Sequence, residues 1–348
     1  MRRTVMTGSH SRRAIRLTAA VAMSAVLVTS LAPNIGSTPA PIAKAAGGGT
    51  CAGVNIRFFA GGAAGDAFAS IVYKGAEAAA HDLGANVQYV FSGWDVQKMT
   101  QQLREAIAAH PDGIAMMGHP GDAAIMPLAK QAHDAGILME YQNVDVPKVR
   151  AAYGGGYVGA QLTPQGTALG VQAIKEFGLT KGERAIVFGS WGQPGRYFRE
   201  EGTAKAFEQA GMMVQRIVAP PADAADPNLL TPLVSGAFLS HPETKIIVYP
   251  GGQLLGAVPQ YMQAIHKKPG QVLAVGFDTS PQVISAFQQG YVQLTSDQQP
   301  YLQGYIPIVS LCMEKKFGFA PISLDTGNGF IDVHNYQSVA ALAKAGLR

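Results

Sequence analysis

The sequence predicts an α/β protein of two doubly wound parallel-sheet lobes, joined by a hinge that the chain crosses several times, with a ligand cleft between them. Three observations carry this. Short β-type apolar runs alternate with longer helical patterns almost to the end of the chain, the βαβ signature of a parallel sheet covered on both faces. The alternation stops near the middle and starts again, so two similar units lie in tandem. Of the 348 residues, about 300 remain beyond an N-terminal targeting segment, more than one hydrophobic core usually organises.

That segment, 1–45, contains no Asp or Glu and carries Arg2, Arg3, Arg12, Arg13 and Arg16 ahead of the apolar run 17–31, closing on Ala43-Lys44-Ala45. Clustered positive charge, an apolar run too short to span a bilayer, and small residues around a cleavage point define an export signal, cut before Ala46. Ser11-Arg12-Arg13 also resembles a twin-arginine signal. The working protein is expected to be periplasmic or otherwise extracytoplasmic. Six of the 27 basic residues belong to the signal, leaving 21 against 23 acidic ones and turning a net charge of +4 into −2. This balance argues against nucleic acid and an anionic membrane surface as partners and favours a neutral ligand. No later apolar run reaches a membrane-spanning length, and a soluble monomer is expected.

From residue 54 the elements follow in order. Residues 54–60 read as a strand, 68–83 as a helix, 87–91 as a strand, 96–109 as a helix, 113–117 as a strand, 123–135 as a helix and 137–141 as a strand. The second set comprises helix 161–177, strand 184–188, helix 199–210, strand 214–219, helix 229–240, strand 245–249, helix 254–265 and strand 272–277. Strand 291–295, helix 301–317, short strands near Leu324 and over 330–333, and helix 336–345 exceed what the second unit needs, so part of this tail returns to the first lobe. The expected division is 52–157 with 298–329 in the N-terminal lobe and 158–297 with 330–348 in the C-terminal lobe.

Two cysteines, Cys51 and Cys312, are too few for a disulfide scaffold or a zinc cage. A bond between them suits an exported protein if the fold brings them together; two buried thiols, or lipidation of Cys51, are the alternatives. Neither a metal nor a cofactor is implied. The glycines of the loop 61–68 imitate a dinucleotide-binding turn, but Ala60 stands where its first glycine belongs and no acid ends the second strand. A nucleophile elbow, a zinc-protease helix and a phosphate-binding Gly-Lys-Ser loop are all missing from the sequence, which counts against an exported enzyme.

Ligands of open parallel sheets sit beyond the carboxyl ends of the strands. There the sequence places Asp66, Phe68, Trp94, His119, Asn143, Trp191, Arg199, Asp278 and Gln298. Carboxylates accept from vicinal hydroxyls, guanidinium and amide groups donate to them, and flat rings pack on the C–H face of a sugar. Each residue also has a plainer use. Asp66 and Asp278 could cap the helices that follow them, the tryptophans could be core or lid, and His119 could hold its loop. Arg199 is harder to explain so, because a cation at a helix N-terminus opposes the dipole.

Asp66-Ala67-Phe68 followed by Lys74-Gly75-Ala76-Glu77, then Pro111-Asp112-Gly113-Ile114, Ala135-Gly136-Ile137, Asn143-Val144-Asp145, Arg199 with Gly202, and Val275-Gly276-Phe277-Asp278 occur in a telling order. In this the chain resembles, over 54–333, the ribose-binding-like branch of type I periplasmic binding proteins, the sugar receptors of ABC importers. The resemblance implies ligand roles for Asp66, Phe68, Asn143, Arg199, Asp278 and Gln298, capture by hinge closure without catalysis, and an ABC permease with its ATPase as partners. Ala69, Val144 and the loop 249–252 depart from the pattern by losing a ring and polar contacts, which leaves room for another monosaccharide or a polyol. Trp94, His119 and Trp191 are expected to supply contacts special to this branch. A sugar or autoinducer receptor feeding chemotaxis or a sensor kinase would share the same fold.

Overall fold

The structure, a computed structural model, describes residues 48–191, 197–220, 226–327 and 329–348; the expected export signal 1–45 lies outside the described residues. The first part of the chain forms β1 (Asn55–Gly61), α1 (Ala67–Leu83), β2 (Asn86–Phe91), α2 (Val96–Ala108), β3 (Gly113–Met117), α3 (Gly121–Asp134), β4 (Leu138–Gln142), α4 (Pro147–Tyr153) and β5 (Tyr157–Gly159). The repeat adds α5 (Leu162–Phe177), β6 (Arg184–Gly189), α6 (Phe198–Gln209), β7 (Met213–Val218), α7 (Thr231–Ser240), β8 (Thr244–Tyr249), α8 (Gly252–Gly256), α9 (Val258–Ala264), β9 (Leu273–Phe277), α10 (Pro281–Gln288) and β10 (Leu294–Asp297). Then come α11 (Pro300–Phe317), β11 (Leu324–Asp325), β12 (Gly329–Asp332) and α12 (Tyr336–Ala345).

Two six-stranded sheets result, ordered β11-β5-β4-β3-β1-β2 and β12-β10-β9-β8-β6-β7. Every pairing is parallel except β10 with β12. Strands covered on both faces must be apolar throughout, and β3 is buried along its whole length. In β6 the alternation is visible as two cores. Ile186 and Phe188 join Tyr249, Leu255 and Phe287 on one face of the sheet, while Ala185 and Val187 join Leu169, Phe207 and Phe277 on the other.

The tail returns as its surplus elements require. Ile308, Leu311 and Cys312 of α11 lie in the core of the first sheet, and β11 pairs with β5. The backbones of α1 and α11 touch at two glycines: a Cβ on Gly75 would sit 2.0 Å from the Tyr301 carbonyl oxygen, and one on Gly304 1.9 Å from that of Val72. No residue with a side chain fits there. The chain next crosses back, where β12 closes the second sheet and Tyr336 of α12 stacks on Phe287 at 5.5 Å. Lys74 of α1 donates its ammonium to the Ala345 carbonyl at 2.7 Å, a cation at a helix C-terminus that ties the two bodies together. Cys51 and Cys312 are joined in a disulfide with Cα atoms 5.7 Å apart.

Several expected boundaries move. Val158 and Gly159 continue the first sheet beside Gln142 and Asp325, so the first crossing follows Gly159 rather than Tyr157, and Gly329 already pairs in the second sheet. A three-residue strand ending on glycine is too short to show alternation. The strand expected at 291–295 lies at Leu294–Asp297, because the Tyr291 N–H donates back to the Ala286 carbonyl and stays in the turn after α10. Helix 254–265 breaks at Ala257, before Pro259, which has no N–H to donate. Helix 229–240 opens instead as the 3₁₀ turn Pro227–Leu230.

Candidate functional site

The carboxyl ends of both sheets face each other at the crossings, and one connected set of side chains runs between them. Asn143 follows β4 with φ +64°, a left-handed conformation that asparagine tolerates better than most residues. Its Nδ2 donates to Gln298 Oε1 at 3.2 Å and to Gln303 Oε1 at 3.1 Å. Gln298 lies just past β10, and its Nε2 donates to Asp278 Oδ1 at 2.5 Å. Asp278 follows β9, also with positive φ (+72°), its carbonyl accepting from Thr295 Oγ1 at 2.8 Å. Arg199 Nη1 lies 3.8 Å from the same Asp278 oxygen. The guanidinium also donates to the Pro250 carbonyl through Nη2 and to Glu200 Oε1 through Nε at 3.4 Å, and lies over the Phe277 ring at 4.6 Å. Asn143, Arg199 and Gln298 are at most 4% exposed and Asp278 is 9% exposed. Buried polar groups of this kind persist only when paired.

Asp278 does not cap α10. Ser280 does, its Oγ accepting the Val283 N–H at 3.1 Å, with Pro281 at the first helical position. That leaves the Asp278 carboxylate to Gln298 and Arg199. Asp66 does cap α1: its Oδ1 accepts the Ala69 N–H at 2.8 Å, while Oδ2 accepts the Trp94 indole N–H at 3.0 Å.

Trp94 stands between two other rings, Phe68 at 6.0 Å and His119 at 5.1 Å, so the first turn of α1 and the loops after β2 and β3 bring three rings together. The φ of Trp94 is +61°, a conformation that costs an ordinary residue of order 1 kcal/mol or more and is concentrated at functional sites. Glycine at 61 and 62 makes room for the indole, since a Cβ on either would approach it to 2.5 or 2.9 Å. Trp191 does not join this cluster. Its indole N–H donates back to the Val187 carbonyl at 3.2 Å, and Arg216 and Tyr197 pack on the ring.

Gln303, Thr326 and Tyr157 escape a reading of the sequence. Gln303 sits in the first turn of α11, fully buried, and donates to Thr326 Oγ1 at 3.1 Å on the last crossing. Tyr157 shares its one hydroxyl proton between the carbonyls of Ala160 at 2.8 Å and Asn143 at 3.0 Å, and burial pushes its phenol pKa up. The signal in the sequence is a glutamine on the buried face of the helix that begins at Pro300, close after Gln298-Gln299. Among the described residues no group of three or more His, Cys, Asp or Glu could hold a metal ion.

Two α/β bodies whose strand ends share one buried polar network define a bilobal, hinged binding protein. Residues 58–316 match the model of the periplasmic binding protein domain, and the chain belongs to that family. It is 27% identical over 257 residues to a xylose/arabinose-binding protein of Sulfolobus acidocaldarius, a match covering 70% of this chain and 62% of the relative's length. It is 27% identical over 235 residues to the D-allose-binding periplasmic protein of Escherichia coli, covering 65% and 74% respectively. A crystal structure of a carbohydrate transporter from Acidothermus cellulolyticus in complex with myo-inositol superposes with a TM-score of 0.73 at 24% identity, over 85% of this chain and 99% of the other.

Proposed function

We propose that the chain is an extracytoplasmic solute-binding protein that captures a neutral monosaccharide or sugar alcohol by hinge closure, releases it unchanged and delivers it to the permease of an ABC importer. The observation that carries this is the run Asn143–Gln298–Asp278–Arg199, which begins after β4 of the first body and ends on α6 of the second. Contacts that are complete only when the bodies meet give a ligand higher affinity for the closed form, and that difference moves the equilibrium. In this reading 52–159 with 298–327 form one lobe and 160–297 with 329–348 the other. The arginine-led apolar N-terminus supports export, and the mature net charge of −2 supports an uncharged ligand.

The related proteins are named for xylose, arabinose and allose, and one solved relative holds myo-inositol. All four are neutral and rich in hydroxyls, which fits amide, guanidinium and carboxylate partners beside a row of rings. A thermal-shift and calorimetry panel of D-xylose, L-arabinose, D-allose, D-ribose and myo-inositol tests the proposal. At least one should raise the melting temperature and bind with one-to-one stoichiometry. No binding by any member would sink it.

A further inference from the structure

We infer that Gln303 is the positioning residue that fixes the hydrogen-bond polarity of the cleft, occupying the second Nδ2 proton of Asn143 so that this side chain offers a sugar only an acceptor. The inference rests on the sugar-binding reading above.

An amide side chain can point its oxygen or its nitrogen either way, so its orientation is set by neighbours that have no choice. Two such neighbours anchor this network. The Asp278 carboxylate only accepts, so Gln298 must present Nε2 to it, at 2.5 Å. The Gln298 main-chain carbonyl also only accepts, so Gln303 must present Nε2 to that, at 2.9 Å. Both oxygens are then directed at Asn143. Its Nδ2 meets Gln298 Oε1 at 3.2 Å and Gln303 Oε1 at 3.1 Å, which uses both of its protons. Only Asn143 Oδ1 is left for a guest, and a guest contacting it must donate.

Gln303 itself is saturated. Its Nε2 serves Thr326 Oγ1 at 3.1 Å and is shared between the carbonyl and Oε1 of Gln298, the latter at 3.2 Å. It therefore also links two crossings of the hinge, the one after β10 and the one after β11. Without Gln303, Asn143 keeps only Gln298 Oε1 and one Nδ2 proton is freed, so a contact that had demanded a donor on the sugar could also be met by an acceptor. Sites built to hydrogen-bond a hydroxyl discriminate strongly against analogues lacking it, because a buried polar atom is stranded.

The test uses the panel sugar that binds the wild-type protein most tightly, together with its monodeoxyfluoro analogues, in which each hydroxyl in turn loses the ability to donate. Calorimetry compares wild type with Gln303→Met and Gln303→Glu. The expected result for Gln303→Met is about a tenfold loss for the parent sugar, with discrimination against one fluoro analogue falling about fivefold or more. Gln303→Glu keeps the acceptor that holds Asn143, so it should weaken binding while retaining that discrimination. Should Gln303→Met fail to fold, Gln303→Ser, too short to reach Asn143, carries the same comparison. A purely structural role would weaken all analogues in the same ratio, and an unchanged ratio overturns the assignment. If wild type binds no panel sugar, the sugar-binding reading falls and the inference with it; if it binds and the ratio is unchanged, only Gln303 loses its role.

Discussion

Trp94 donates its indole N–H to Asp66 Oδ2 at 3.0 Å, and the other oxygen of that carboxylate accepts the Ala69 N–H at the head of α1. One side chain thus caps a helix and fixes the central ring of the row Phe68–Trp94–His119. The two duties can be separated. Asp66→Asn retains an acceptor for the cap but turns a donor toward the indole, so it should leave the melting temperature nearly unchanged and lower sugar affinity. Asp66→Ala should also lose about 1 kcal/mol of stability with the cap. Trp94→Phe keeps a ring and removes the N–H. If the pair works by aiming the ring, the losses from Asp66→Asn and Trp94→Phe will not add in the double variant. Additive losses would mean that Asp66 and Trp94 act independently.

Arg199 is 4% exposed, and its donors serve Pro250 and Glu200 while its face covers Phe277. Arg199→Ala strands buried carboxylates, and Asp278→Ala strands the Gln298 amide and part of the guanidinium. Each should cost about 2–4 kcal/mol of binding free energy. Arg199→Lys should recover little, since an ammonium offers neither the flat face nor the forked donors. Calorimetry placing either alanine variant within about threefold of wild type would remove that residue from the pocket.

How far the sequence discloses this arrangement depends on the range of each interaction. Tandem βαβ alternation is local and long, so the two sheets are legible in it, as are the strand-end residues Asn143, Arg199, Asp278 and Gln298. What happens between distant residues is not. The capping pattern at Ser280-Pro281 was as readable as Asp278 and competes with it, yet nothing local says which residue wins. Gln303 gains its role only because Thr326, on the last crossing, and Asn143, after β4, arrive beside it from far apart in the chain. Trp191 sits at a strand end, as the pattern demands, but folds back over β6 because the Val187 carbonyl and Arg216 give its indole partners there. The short elements α4 and β5 lack the length that periodicity needs.

The Cys51–Cys312 disulfide, within the first sheet's body, ties the segment ahead of β1 to α11 across a sequence separation of 261 that takes in most of the second body. Replacing both cysteines by alanine should destabilise the protein by about 2–5 kcal/mol, since a long loop is then free in the unfolded chain. Sugar affinity should hardly change, because neither cysteine touches the network at the strand ends. The same fall in melting temperature should follow reduction of the wild type and be absent in the double variant. Equal melting temperatures with and without reductant would show that the bond contributes nothing to stability.

Glu140 lies fully buried in β4, opposite Glu314 of α11, with Ser310 between them. The hydroxyl oxygen of Ser310 lies 2.6 Å from Glu140 Oε1 and 3.1 Å from Glu314 Oε1, and it accepts the Ile322 N–H at 2.8 Å. A hydroxyl has one proton to give, and a protonated carboxyl supplies the donor for the second contact, so the pair is expected to hold a proton. Burial, with the neighbouring Glu314 adding to it, pushes Glu140 from 4.5 up to about 9, and burial raises Glu314 as well. The sign follows from linkage. The native state keeps a proton that the unfolded chain releases near pH 4.5, so the stabilisation is complete below that pH and is lost as the pH rises toward about 9. The wild-type melting temperature should fall across this window. Glu140→Gln keeps the shape and supplies a permanent N–H donor, so its melting temperature should depend less on pH and exceed that of wild type on the alkaline side. Parallel pH profiles for the two proteins would show that the pair holds no proton in the native state.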